Sequence, residues 1–296
     1  MSGIKKITAE KKRRALRARL QQKAIVSAPG VFDMISAKLA DTMGFDVLYM
    51  TGYGTVASTL GLPDAGLATY SDMLGRAATI AKGTATPLIA DGDTGYGGLL
   101  NVAHTVRGYE DAGIAGIQLE DQVFPKRCGH TPGRRVIECA DMVKKIEVAV
   151  DARSDDDFLI VARTDALASK GIEDALRRAA SYAEAGADLI FLEAPTSLEE
   201  MKRICETIDK PLVANMVEGG STPILQRDEL EALGYSLAIY PATGFLAMAK
   251  ALTKVYRAIR DDGSSLNVED DLYEFRAFSK LIGFDDVWEF ESRFAD

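Results

Sequence analysis

Residues 87–120, PLIADGDTGYGGLLNVAHTVRGYEDAGIAGIQLE, contain the repeat that decides the fold. Pro87–Asp91 is a short apolar run, and 99–112 carries apolar residues at helical period. Gly113 stands where a glycine ends a helix, and Gly116–Glu120 is again a short apolar run. A strand, a helix and a second strand make a parallel crossover unit, and both strands end in a carboxylate, Asp91 and Glu120.

Outward from this unit the same alternation continues in both directions. Further strands are predicted at Ala24–Ala28, Asp46–Thr51, Phe158–Arg163, Leu189–Glu193, Pro211–Asn215 and Leu237–Tyr240. Helical patterns fall at about 32–43, 71–83, 140–151, 173–185, 197–207, 226–233 and 244–260, with Gly44, Gly186 and Gly234 at helix ends. Eight strands, each followed by a helix, point to a (β/α)8 barrel of the α/β class; an open doubly wound sheet is the alternative. A charged helix at 8–21 precedes the first strand. A linker at 261–267 leads to helical segments at 268–280 and 285–294, rich in aromatic residues such as Tyr273, Phe278, Trp288 and Phe294, which should dock on the barrel or on a neighbouring subunit. The expectation is one domain over 1–296, with the barrel at about 22–260 and the tail at 268–296.

Of the 296 residues, 47% are hydrophobic and 27% charged, the balance of an ordinary soluble globular protein. A net charge of −9 gives no electrostatic footprint for nucleic acid or an anionic membrane. The basic run Lys11–Arg14, with Arg17 and Arg19, reads as a solvated helix face. Cys128, Cys139 and Cys205 have no paired spacing, and neither a signal-like segment nor an apolar span is present. These features lead us to expect a reducing, cytoplasmic setting without membrane or nucleic-acid partners.

In such a barrel the C-terminal ends of the strands surround the active site. Those ends are polar here: Tyr49 and Thr51-Gly52-Tyr53, Asp91 and Asp93, Glu120, Arg163, Glu193 and Asn215. Carboxylates gathered at one mouth call for a counter-ion, and oxygen ligands without histidine favour Mg²⁺, or Mn²⁺, over zinc. Asp91 and Asp93 are the candidate direct ligands and Glu120 a water-mediated one; an Asx-type turn at Asp93 is the structural alternative. After the fourth strand, residues 122–135 are too long and too loaded for a plain connector. Lys126, Arg127, His130, Arg134 and Arg135 suit a carboxylate-bearing substrate, and the flanking cations would stabilise a Cys128 thiolate. Among the remaining candidates, His104 sits within a helix pattern and reads as packing or surface, whereas Tyr96 reads equally as pocket lining or packing.

Lys-Arg-Cys-Gly-His at 126–130, preceded by Leu-Glu-Asp-Gln and Asp-Gly-Asp-Thr-Gly, closely resembles the isocitrate lyase/phosphoenolpyruvate mutase superfamily. The likeness extends from about Ile25 to Leu252 through Tyr-Met-Thr-Gly-Tyr-Gly, Ala-Arg-Thr-Asp-Ala and Asn-Met-Val-Glu-Gly-Gly. The resemblance implies a barrel, often a homotetramer, whose last helix is exchanged with a neighbour. It implies Mg²⁺ on or near Asp91 and Asp93, with its waters held by Asp64 and Glu120. Thr51, Gly52 and Tyr53 would cradle substrate, Arg163 would pair with a substrate carboxylate, and Gly129, His130, Glu193 and Asn215 would line the site. Cys128 matches the general acid of the lyases, which implies carbon–carbon cleavage assisted by Tyr49, Lys126 and Arg163 under a closing 122–135 loop. Methylisocitrate-cleaving members carry an arginine after the eighth strand, where this chain has Tyr240-Pro-Ala-Thr-Gly-Phe-Leu-Ala-Met. That departure favours a small dicarboxylate such as a substituted malate or oxaloacetate. Methylisocitrate, phosphonopyruvate chemistry and a catalytically inactive binding protein remain the alternatives.

Overall fold

Eight parallel strands close on themselves in sequence order, the first pairing with both the second and the eighth. The computed structural model describes residues 7–127, 129 and 133–295. It divides into two compact units, residues 8–243 and 244–295.

In the first unit, α1 (Ala9–Leu20) precedes β1 (Val26–Val31), α2 (Met34–Asp41), β2 (Leu48–Met50), α3 (Gly52–Leu60), α4 (Tyr70–Gly83), β3 (Leu88–Asp91) and α5 (Leu99–Asp111). There follow β4 (Gly116–Glu120), α6 (Cys139–Ala152), β5 (Leu159–Thr164), α7 (Leu167–Lys170), α8 (Ile172–Glu184) and β6 (Leu189–Leu192). The circuit ends with α9 (Leu198–Thr207), β7 (Leu212–Asn215), α10 (Arg227–Leu233) and β8 (Leu237–Tyr240). The expected barrel is therefore present, with two helices the sequence did not announce. α3 was hidden by Gly52 and Gly54, and α7 is a single turn.

The strand side chains alternate between two cores. Ile117, Leu119, Ile160, Ala162, Ile190 and Leu192 face outward and pack under the helices. Tyr49, Ile89, Val161, Phe191, Val213 and Ile239 face inward and fill the barrel. Inside the barrel α1 adds Leu16 and Leu20, 1% and 7% exposed, each contributing about 1.5–3 kcal/mol by burial.

The basic run of α1 corrects the expectation of a solvated face. Lys12 and Arg13 are buried. The Lys12 ammonium donates to the carbonyls of Ala81 (2.9 Å) and Thr84 (2.6 Å), which closes the C-terminus of α4. Arg13 donates to the Ile114 carbonyl at 3.0 Å and Asp155 at 3.1 Å, and stacks on Phe158. A helical period of charges hid this because the acceptors are main-chain carbonyls far along the chain.

The second unit contains α11 (Thr243–Asp262, which begins one residue before the boundary), a 3₁₀ turn (Leu266–Asp271), α12 (Phe275–Ile282) and α13 (Phe284–Phe294). It buries Val268 and stacks Phe284 on Trp288, yet Tyr256, Phe275, Trp288 and Phe294 stay exposed. No described helix is long and apolar enough to cross a membrane.

Candidate active site

Five of the inward-facing ladders end in a polar residue. Asp91 lies two residues beyond Ile89, Glu120 two beyond Gln118, Arg163 two beyond Val161, Glu193 two beyond Phe191 and Asn215 two beyond Val213. Strand periodicity therefore delivers five polar side chains from five strands to one mouth. In register, Glu120 neighbours Arg163 and Asp91 neighbours Gln118.

The carboxylates collect on one side. Asp93 is in a left-handed conformation (φ 47°) and donates its N–H to the Asp91 carboxylate at 3.0 Å. This is a turn of the Asx kind, but Asp64 from the 61–69 loop and Lys126 also converge on it. The Lys126 ammonium lies 2.5 Å from Asp64 and 2.6 Å from Asp93, itself 3% exposed. Burial opposes the charge on Lys126, but Asp93, Asp91, Glu120 and Asp64 overrule it and hold the ammonium well above its usual pKa. Burial pushes the Asp93 carboxyl up to about 7 despite Lys126, with Asp91 and Asp64 adding repulsion. Burial likewise lifts Glu120 well above the carboxylate range, against the pull of Arg163.

The oxygens of this cluster suit a hard cation. Among the described residues Glu120 Oε1 is buried without a hydrogen-bond partner, and all the acidic groups are carboxylates. Among the described residues, no group of three or more His, Cys, Asp or Glu side chains converges as a ready-made metal cage. Mg²⁺ does not require one, because it keeps several waters and takes only one or two carboxylates directly. On donor chemistry the cluster fits Mg²⁺, with Asp91 and Asp93 the direct candidates and Asp64 and Glu120 beside them.

Across the mouth Arg163 is enclosed by acids. Its Nε and Nη2 donate to the two oxygens of Asp165 at 2.9 Å each, Nη1 lies 3.5 Å from Glu120, and Nη2 lies 3.4 Å from Glu193. The guanidinium stacks 5.3 Å from the Phe191 ring. Burial works against this charge too, but Asp165, Glu193 and Glu120 keep it firmly protonated. Asn215 donates to both oxygens of Glu193, at 3.2 and 3.1 Å.

Thr51 precedes α3, and Gly52 and Tyr53 form its first turn, whose N–H groups lack carbonyl partners within the helix. Gly52 faces Asp91 closely, and a Cβ there would collide with the Asp91 carboxylate. The helix terminus thus stands beside the acidic cluster. Tyr49 is fully buried and donates to Gln118 Oε1 at 3.0 Å. Burial, then Asp91, pushes its phenol well above the usual tyrosine pKa.

The loop after β4 is fastened at both stems. Val123 donates to the Arg135 carbonyl (2.8 Å) and Ile137 to that of Asp121 (2.9 Å), and the Gln122 side chain clamps the backbone of Arg127. Gly129 lies on the Arg163–Glu193 pair: a Cβ there would sit 2.8 Å from the Glu193 carboxyl carbon. Cys128 and His130 lie outside the described residues. His104 is exposed on α5 with its ring 4.8 Å from Tyr70, away from the mouth. Tyr96 bonds Tyr109, which donates to the Asp91 carbonyl at 3.0 Å, so Tyr96 braces β3 from outside.

Two participants went unassigned in the sequence. Gln118, 1% exposed with an unpartnered Nε2, could have been found from its place two residues before Glu120 on the same strand face. Asp165 was visible beside Arg163, but its bond to Arg134 crosses 31 positions and leaves no local signal.

Residues 16–260 match the phosphoenolpyruvate phosphomutase family. The chain is 49% identical to 2,3-dimethylmalate lyase of Eubacterium barkeri over 95% of its own length and 97% of the relative's. It is 46% identical to 2-methylisocitrate lyase of Aeropyrum pernix over 92% of its length and 87% of the relative's. Among solved structures it resembles oxaloacetate acetylhydrolase in complex with 3,3-difluorooxalacetate, with a TM-score of 0.91 at 36% identity over 96% and 97% of the two chains. It also resembles phosphonopyruvate hydrolase in complex with oxalate and Mg²⁺, with a TM-score of 0.87 at 30% identity over 98% and 100%. By its family match over residues 16–260, its identity to these relatives and its barrel, the protein belongs to the phosphoenolpyruvate mutase/isocitrate lyase superfamily.

Proposed function

We propose that the protein is a Mg²⁺-dependent carbon–carbon lyase. Its substrate is a small 2-hydroxy or 2-oxo dicarboxylate, 2,3-dimethylmalate-like or oxaloacetate-like, and for the hydroxy acid the products are pyruvate and a carboxylic acid. The observation that carries this reading is the polar layer at the barrel mouth, with Asp91, Asp93 and Glu120 on one side and Arg163 on the other. Such a layer offers carboxylate oxygens to a cation and a guanidinium to an anionic group.

Asp91 and Asp93 would hold the metal, with Asp64 and Glu120 on its waters; when bound, it supplies Lewis-acid stabilisation of the substrate's 2-oxygen and carboxylate. The α3 N-terminus, at Thr51, Gly52 and Tyr53, receives that carboxylate and orients it. The 2-hydroxyl proton leaves to a water in the site as the C2–C3 bond breaks, and the Tyr49 phenol, which stays protonated, assists by hydrogen bonding. The departing fragment keeps the bonding pair as an enolate, which Arg163 and Lys126 stabilise. Cys128 then returns a proton to its carbon, while Gly129, His130, Glu193 and Asn215 line the pocket.

Two further features support the specificity and assembly parts of this reading. The stretch after β8, residues 240–248, has no cation for a third carboxylate. α11 presents Leu246, Leu252, Tyr256 and Ile259 to the surface, which suits a homotetramer with an exchanged C-terminal helix. The described cysteines, Cys139 and Cys205, are free thiols, in keeping with a reducing cytoplasm. The test is a coupled pyruvate assay with Mg²⁺ and chelator controls over 2,3-dimethylmalate, methylisocitrate, oxaloacetate and phosphonopyruvate. Mg²⁺-dependent turnover of a dicarboxylate is expected. Preference for methylisocitrate, favoured by the 46% identical relative, would retain the chemistry and overturn the specificity. Phosphonopyruvate turnover surviving Cys128→Ser would overturn carbon–carbon cleavage.

A further inference from the structure

Two arginines share one buried carboxylate beside the proposed substrate site. Asp165 is 0% exposed. Arg163 grips it side-on through Nε and Nη2, the geometry that fixes the plane of a guanidinium. Arg134, arriving from the far stem of the 122–135 loop, donates from Nη1 to Asp165 Oδ1 at 3.0 Å. The aspartate itself is immobilised from behind, because its N–H donates to Asp121 Oδ1 at 2.9 Å. Asp121 is in turn held by Thr164 (2.7 Å), Tyr182 (2.8 Å) and Arg178 (3.3 Å). Arg178 also donates to the Ile137 carbonyl at 2.9 Å, where the loop rejoins the barrel. The side edge of Arg163 is thus committed to Asp165, and its Nη1 edge is aimed at Glu120 and the mouth.

We propose that Asp165 and Arg134 are positioning residues: together they set the plane of Arg163 so that its Nη1 edge meets the far carboxylate of a dicarboxylate substrate. The inference rests on the lyase reading above for the nature of that substrate. A bidentate clamp orients a guanidinium only while the clamping carboxylate is itself held in place. Arg134 supplies the second hold on Oδ1, and the Asp121 network supplies the hold on the backbone.

The experiment compares Arg134→Gln, Arg134→Lys and Asp165→Asn with the wild type. It measures kcat and KM for the best dicarboxylate and oxalate affinity by calorimetry in Mg²⁺. Arg134→Gln is expected to raise KM and the oxalate Kd about tenfold, with kcat falling less and the melting temperature nearly unchanged; Arg134→Lys should recover most of the loss. Asp165→Asn should raise both constants further. Unmoved KM and oxalate Kd in Arg134→Gln, with wild-type protein binding oxalate normally, would overturn the positioning role even if Asp165→Asn failed to fold. Wild-type protein that neither binds oxalate nor turns over any dicarboxylate would overturn the lyase reading, and this inference with it.

Discussion

The two ends of the barrel use the same residue types for opposite purposes. At the bottom, Arg13, Glu110, Asp155 and Asp188 are buried or half-buried, and each carboxylate receives main-chain donors: Ser154 and Asp155 give theirs to Glu110, Asp157 to Asp155 and Ile160 to Asp188. At the mouth, among the described residues, Glu120 Oε1 and Gln118 Nε2 have no hydrogen-bond partner, and Asp64 and Asp93 share a single ammonium. The carboxylates at the bottom are satisfied by main-chain donors, whereas those at the mouth keep hydrogen-bonding capacity for a ligand. Among the carboxylates, then, charge density does not locate the site; incomplete satisfaction does.

That contrast is most easily broken by removing one charge from each end. Arg13→Met leaves Glu110 and Asp155 without their cation and is expected to cost about 3–5 kcal/mol of stability by denaturant titration, with KM unchanged. A shifted KM in a folded Arg13→Met protein would show that the bottom also shapes the site. Glu120→Gln should act in reverse, with activity falling about 10–100-fold while the metal-free fold stays as stable or gains, because burial already disfavours the Glu120 charge. A folded, fully active Glu120→Gln enzyme would remove Glu120 from the site.

The smallest effect is a pH dependence of opposite sign at the two ends. Asp93 and Glu120 are raised in the folded state, so the fold binds more protons there than the unfolded chain, and the Asp93 contribution is lost as pH rises through about 7. Asp155 is depressed by its bonds to Asp157 and Arg13 despite burial; its contribution is present above its unfolded value and lost in acid. Chelator-treated protein should therefore melt a few degrees lower at pH 8 than at pH 6, and Mg²⁺ should narrow the gap. An equal gap with and without Mg²⁺ would place the responsible groups elsewhere.

What the sequence disclosed followed the same division. Gly116–Glu120 and Leu237–Tyr240 form the strands expected of them, since apolar runs of strand length between helical periods have few alternatives. β1 begins and ends later than expected because Pro29-Gly30 reads as a breaker. In the barrel Pro29 pairs at the end of the ladder, and Gly30 is required because a Cβ would strike the backbone of Pro241 at 2.6 Å. The strand-end acids, Arg163 and Lys126 were legible as a set, and the structure brings them together; their roles await the experiments above. Lys12 and Arg13 were misread, and Asp165 and Arg134 left unjoined, for one reason: their partners are brought near only by closure of the barrel.

The period-two ladder has a further consequence for how such a protein changes over time. Asp91, Glu120, Arg163, Glu193 and Asn215 are the outermost rungs of ladders whose lower rungs are largely packing residues, and the neighbouring rungs belong to different strands. A single codon change at one top rung therefore alters what the mouth can hold while leaving the layers beneath intact. Relatives named as lyase, acetylhydrolase and hydrolase around one barrel are the kind of diversity that this separation permits.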